Sequence, residues 1–219
     1  MGAALTAVID HTLTAAEIHQ LIDHFLAGGD GPIHTAIQLL HSVIQPHRNL
    51  LEADGTWRRE DIPLAEKPWH LDSDESLPLD LEAIWTEEWW APKLEGPMQI
   101  GILIWRHTCE VNFWNLRWDG FLTLQTVQDT IRLVCYELMQ ACHGSRVLYL
   151  PDSNYDIAAA ASMPADRDGT RIEEIEAWLQ EFHGPPQNSL GEIAQSPLLE
   201  GRAGAYFIDT FSGVRLCPA

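Results

Sequence analysis

Apolar side chains recur along this chain with two different periods, and each change of period marks an element. After a short strand near the start, Thr14-Ala-Ala-Glu17 has the spacing of a helix-opening box, in which the threonine side chain accepts the amide three residues on and the glutamate reaches back. Ile18, Leu21, Ile22 and Phe25 then keep helical spacing until Gly28-Gly29. A second stripe, Ile33, Ile37, Leu40 and Ile44, ends at Pro46. The pattern predicts two helices packed as a hairpin within residues 1–51.

The period shortens from residue 98. Met98-Gln-Ile-Gly-Ile-Leu-Ile-Trp105 is nearly all apolar, the signature of a strand buried on both faces, and predicts a central strand. Glu110-Val-Asn-Phe-Trp-Asn-Leu-Arg-Trp118 alternates, with Val111, Phe113, Asn115 and Arg117 on one side and Asn112, Trp114, Leu116 and Trp118 on the other. The two runs, joined by Arg106-His-Thr-Cys109, predict an antiparallel hairpin. Beyond Asp119-Gly120 the helical period returns: Leu124, Val127, Ile131, Val134, Leu138 and Cys142 share one face of a helix closed by His143-Gly144. Arg146-Val-Leu-Tyr-Leu150 reads as a short buried strand. Thr170-Arg-Ile-Glu173 and Ser189-Leu-Gly-Glu192 open two short helices, and Ala205–Phe211 reads as a last strand. The order β-β-α-β-α-α-β over residues 96–219 predicts an α+β fold, a mainly antiparallel sheet with helices packed on it, in one domain spanning 1–219.

Residues 52–95 fit neither period. They hold 13 acidic and four basic side chains and five of the nine tryptophans, with prolines at 63, 68, 78 and 92. An irregular segment pinned by its tryptophans is expected. Acids beside large aromatics also suit a binding face: rigid rings give contact area at little entropic cost, and carboxylates steer a basic partner. Asp72, Asp74, Glu75, Trp85, Glu87, Glu88 and Trp89 are the candidate partner-binding residues, set against the alternative that the tryptophans fill the core and the acids are a solvated rim.

Charge extends that picture to the whole chain. Thirteen Lys and Arg against 32 Asp and Glu give a net charge of −19 over 219 residues. Such a field repels nucleic acid and anionic membranes and attracts basic surfaces. No run approaches the roughly 20 apolar residues of a membrane span, and the first ten residues lack a basic signal region, so a cytoplasmic protein is expected. The four cysteines are expected to be free and mostly buried. Cys135 and Cys142, seven apart on one helix, rise about 10 Å from each other, too far for a disulfide.

Candidate chemistry adds little. His19 and His24 lie five apart, about 140° around a helix, and do not share a face. His107 and Cys109 offer two ligands where zinc needs four, so no metal or cofactor is expected. Asp152-Ser153 follows a buried strand, where α/β enzymes often keep polar groups, but an Asp-Ser turn also caps helices. Glu173, Glu174 and Glu176 are explained by the helix dipole.

The C-terminal half, through Trp118-Asp-Gly-Phe-Leu, the helix to Gly144, Val147-Leu-Tyr-Leu-Pro-Asp-Ser153 and Gly204-Ala-Tyr-Phe-Ile-Asp209, resembles in layout and acidity the immunity proteins of bacterial polymorphic-toxin systems. The resemblance implies a non-enzymatic inhibitor that masks a toxin's active site, and it assigns no binding residues. The alternatives are a small hydrolase or transferase with a pocket near Asp152-Ser153, and a DNA mimic. Full-length mimicry is disfavoured by residues 96–151, which carry four acidic and four basic side chains.

Overall fold

The computed structural model describes residues 4–28, 31–66, 68–72, 81, 91–151, 171–196 and 204–212. Its frame is a seven-stranded, fully antiparallel sheet in the order β4-β5-β6-β7-β1-β8-β9. The strands are β1 (Ala4–Asp10), β4 (His70–Leu71), β5 (Lys93–Glu95), β6 (Ile100–Ile104), β7 (Thr108–Arg117), β8 (Val147–Pro151) and β9 (Phe207–Asp209). Among the described residues there are six α-helices: α1 (Ala15–Leu26), α2 (Pro32–Ile44), α3 (Trp118–Thr123), α4 (Gln125–Ala141), α5 (Ile172–His183) and α6 (Leu190–Gln195). A separate hairpin pairs β2 (His47–Leu51) with β3 (Trp57–Asp61). The chain is thus α+β, with helices packed on a mainly antiparallel sheet.

The β6–β7 hairpin forms as the alternation predicts, with Ile102 opposite Val111 and Ile104 opposite Cys109. β6 lies inside the sheet, but the middle strand is β7, because β1 inserts between β7 and β8. The apolar run is also shorter than the sequence suggests. Pro97–Gln99 is a 3₁₀ turn, with Met98 and Gln99 at φ 60° and 59°, and Trp118 opens α3 instead of ending β7.

On one sheet face Leu5, Ala7, Ile9, Ile102, Val111, Phe113, Val147 and Tyr149 meet Ile18, Ile22, Ile37, Leu40, Ile131, Val134 and Leu138 of the helices. Removing one such side chain from water is worth about 2 kcal/mol, which makes this face the main source of stability. α2 packs chiefly along α4 rather than forming the expected hairpin with α1. Leu124 does not join the α4 stripe; it caps the helix and is 57% exposed.

The caps are legible to different degrees. Thr14 and Glu17 form the complete box, with Thr14 N donating to Glu17 Oε2 (2.8 Å) and Glu17 N to Thr14 Oγ1 (3.4 Å). Ser189 Oγ accepts from Glu192 N (3.2 Å), but the Glu192 carboxylate reaches Asn188 N (3.1 Å), one residue earlier than the box pattern places it. α5 starts one residue late: Arg171 is the cap, and its amide donates to Glu174 Oε2 (2.8 Å). Arginine has no side-chain acceptor, so only half of that box exists. Thr170 lies outside the described residues.

Candidate interaction surface

Of the seven candidate partner-binding residues, Asp72 is described, while Asp74, Glu75, Trp85, Glu87, Glu88 and Trp89 lie outside the described residues. Asp72 is not an open anion. Its carboxylate sits 2.5 Å from Lys93 Nζ, which also holds Glu95 at 2.8 Å. Partial burial works against the ammonium charge, yet the bonds to Asp72 and Glu95 outweigh it and raise Lys93 above its ordinary value.

The first part of the 52–95 segment is ordered where irregular structure was expected. β2 and β3 pair in register from His47 opposite Asp61 to Leu51 opposite Trp57, and Gly55, at φ 84°, supplies the left-handed residue in the connection. The signal was Asp54-Gly55 between Leu51 and Trp57, masked by the charged run Arg58-Arg-Glu-Asp61. Two of the segment's five tryptophans are described, and they differ in burial. Trp69 is buried against Phe25 (centroids 4.7 Å apart), close enough over Gly96 that a Cβ added there would lie 2.3 Å from its ring. Trp57, at the hairpin tip, is 69% exposed.

The second face of the sheet is half polar and half apolar, and the strand register sets the boundary. One row runs Lys93, Leu103, Glu110, Val8, Leu148, Ile208, and the next runs Glu95, Gly101, Asn112, Thr6, Leu150. Thr6 Oγ1 donates to Asn112 Oδ1 (2.9 Å) and Asn112 Nδ2 to Glu110 Oε1 (2.9 Å), all three residues being buried. On the apolar half, Val8, Leu148 and Leu150 receive Ile172, Ile175 and Leu179 of α5.

That seat presents the outer side of α5 to solvent. Arg146, at the entrance to β8, holds the helix from below: Nη1 donates to both Glu176 oxygens (2.9 and 3.1 Å), and Nη2 bonds Glu173. Burial pushes the Glu176 carboxyl up, against the pull of Arg146. Further along, Trp178 packs on Phe182 with ring centroids 4.4 Å apart, and Phe182 is 61% exposed. Glu174, Gln180 and Glu181 are exposed beside them. An aromatic pair beside carboxylates thus also stands on α5, outside the segment 52–95. Sequence reasoning missed it because Phe182 follows Ile175 by seven residues, almost on the apolar stripe, and nothing in the pattern marks it as exposed.

Among the described residues no three His, Cys, Asp or Glu side chains lie close enough to hold a metal ion, and no helix is long and apolar enough to cross a membrane. Cys109, Cys135 and Cys142 are free and buried; Cys217 lies outside the described residues, as do Asp152 and Ser153. No protein-family model matches the chain, and neither a curated protein nor a solved structure is similar to it at a significant level.

Proposed function

We propose that this chain is a protein-binding inhibitor, an immunity protein that neutralises a cognate bacterial toxin by covering a basic active site. The observation that carries the reading is Phe182, exposed on an acidic helix and backed by the partly buried Trp178, whose ring tilts against it, in a chain with net charge −19. Aromatic side chains that are already ordered lose little entropy on binding and act as anchors. The surrounding field raises the rate of encounter with a positively charged partner. Arg146 contributes by fixing α5 on β8, so the anchor is presented by a rigid element.

The direct test is a calorimetric titration of the full chain against the protein encoded by the adjacent gene, followed by association and dissociation rates. A one-to-one complex supports the reading when Phe182→Ala speeds dissociation by an amount equivalent to about 2 kcal/mol. Glu174→Gln with Glu181→Gln should slow association and flatten its salt dependence. No complex, or a complex whose rates are unchanged in all these variants, overturns α5 as the docking face.

A further inference from the structure

The β2–β3 hairpin is a ribbon with neither face buried. Every residue from 51 to 59 is exposed, as are His47, Arg48, Asn49 and Asp61, and neither strand joins the seven-stranded sheet. A two-stranded hairpin on its own is only marginally stable in water, because no face is packed and both edges are unpaired. This one also exposes Leu51 (61%) opposite Trp57 (69%).

The phase of the ladder fixes which backbone groups the two edges offer. Glu52 N donates to the Thr56 carbonyl (2.8 Å) and Ile62 N to the Pro46 carbonyl (2.9 Å). The hydrogen-bonded pairs between them are therefore Arg48 with Glu60 and Leu50 with Arg58. It follows that the N–H and C=O groups of His47, Asn49 and Leu51 point out from β2, and those of Trp57, Arg59 and Asp61 point out from β3. The edges differ in protection. β3 is charged throughout Arg58-Arg-Glu-Asp61, whereas β2 has Arg48 alone. Charged side chains are a usual means of keeping an edge strand from pairing with another chain, and β2 largely lacks them.

We propose that β2 is a contact between two copies of this chain, which pair antiparallel about Asn49 into a four-stranded sheet in the order β3-β2-β2-β3. Each copy contributes the same strand: Asn49 meets its own counterpart, His47 lies opposite Leu51, and Arg48 lies opposite Leu50. No like charges face each other. The same operation on β3 sets Arg59 against Arg59, a destabilising pair. Leu50 of each copy meets its counterpart on the diagonal across the axis, within reach of a long side chain.

Net charge favours this edge over the rest of the surface. Residues 47–61 hold three basic and four acidic side chains, a net −1 of the chain's −19. Within the hairpin Arg48 pairs with Glu60 (2.9 Å) and Arg58 with Glu52 (2.6 Å), so little charge is left to repel a second copy. Antiparallel pairing also places the acidic remainders of the two chains at opposite ends of the new sheet. Five residues of strand separate them by roughly 17 Å, about twice the screening length in physiological salt. This inference is independent of the partner-binding reading and rests on a different part of the molecule.

The test is sedimentation of the full chain over a concentration series at physiological salt, where a monomer–dimer equilibrium is expected. Asn49→Lys puts like charges across the axis and should weaken association by at least about tenfold. Asn49 is exposed and its amide faces outward, so the substitution leaves the hairpin's own bonds in place and the melting temperature of dilute protein unchanged. Cross-linking reads the register directly. A hydrogen-bonded pair brings Cα atoms to about 5.5 Å, inside the span of a disulfide. With oxidised glutathione as the electron acceptor, Asn49→Cys should give a covalent dimer and Arg59→Cys should not. A chain that stays monomeric into the millimolar range, association that continues past the dimer, a dimer that survives Asn49→Lys, or equal cross-linking through Arg59→Cys would overturn the proposal.

Discussion

Asp10 at the end of β1 closes the turn at Ser145 before β8: its carboxylate accepts Ser145 N (2.7 Å), Ser145 Oγ (2.6 Å) and Arg146 N (2.9 Å). Charge-assisted bonds of this kind satisfy backbone donors that the turn leaves without a ladder partner. Asp10→Ala should lower stability by about 2–3 kcal/mol in urea unfolding, with Asp10→Asn intermediate. Gly144 belongs to the same closure, since a Cβ there would lie 2.3 Å from the Asp10 carbonyl oxygen. Gly144→Ala should destabilise as well. A loss below about 0.5 kcal/mol in both alanine variants would mean that the turn is held by something else.

The pair formed by Arg132 of α4 and Asp209 of β9 is nearly buried, with Nε 2.7 Å from Oδ2. Asp209 Oδ1 also accepts Phe211 N (2.9 Å), and the Arg132 guanidinium lies 5.7 Å from the Phe211 ring centre. Removing one partner strands a buried charge, so Asp209→Ala or Arg132→Ala should each cost about 3–5 kcal/mol. Replacing both by apolar residues of similar size should recover most of the loss. Additive losses in that double variant would contradict this account.

His11 makes folding sensitive to mild acid. Its Nε2 donates to the Trp105 carbonyl (2.7 Å), while its bare Nδ1 accepts Leu13 N (3.3 Å), an arrangement that requires the neutral ring. Burial lowers its pKa, the Trp105 carbonyl opposes the shift, and His107 adds to it while Asp10 acts the other way. The unfolded chain therefore binds this proton more readily than the folded one. Stability is full above the ordinary histidine value of about 6.5 and falls as pH drops from there toward the lowered folded value. Urea midpoints should decline between about pH 7.5 and pH 5.5, and His11→Gln should remove part of that slope. An unchanged slope in the variant would assign the acid sensitivity to other groups.

Cys109, Cys135 and Cys142 should resist a thiol reagent in the native protein. All three are buried, and burial pushes the Cys135 thiol up to about 12; a bond to Cys142 and burial together raise Cys109. Thiolate is the reactive form, so labelling at about pH 8 should wait for unfolding. Fast labelling of any of the three in folded protein would show that the helix-covered core opens readily.

What could be read from the sequence followed side-chain period. Ile18 to Phe25 and Val127 to Leu138 mark helices whose buried faces the structure reproduces, and Val111 and Phe113 give the inward side of β7. Period carries no information about which helix meets which, so α2 was paired with α1 instead of α4. Charge hid β3, whose Arg58-Arg-Glu-Asp61 run forms strand through cross-strand partners such as Arg48 with Glu60 instead of apolar burial. The aromatic pair on α5 escaped because Phe182 continues an apolar stripe, and exposure at a helix end is a tertiary property.

The placement of β1 sets the order in which the molecule can be assembled. Leu5 pairs with Phe113 on one side and Pro151 on the other, so β1 finds its neighbours only after more than a hundred further residues have been made. Until then its own edges are unsatisfied, and the gap it will fill between β7 and β8 does not exist. The centre of the sheet therefore cannot close until β7 and β8 have both been made. The same geometry makes β1 the natural seam for fragment complementation: a chain cut in the turn after Asp10 leaves a strand-shaped slot, seven residues long, that a synthetic copy of Ala4–Asp10 has the register to occupy.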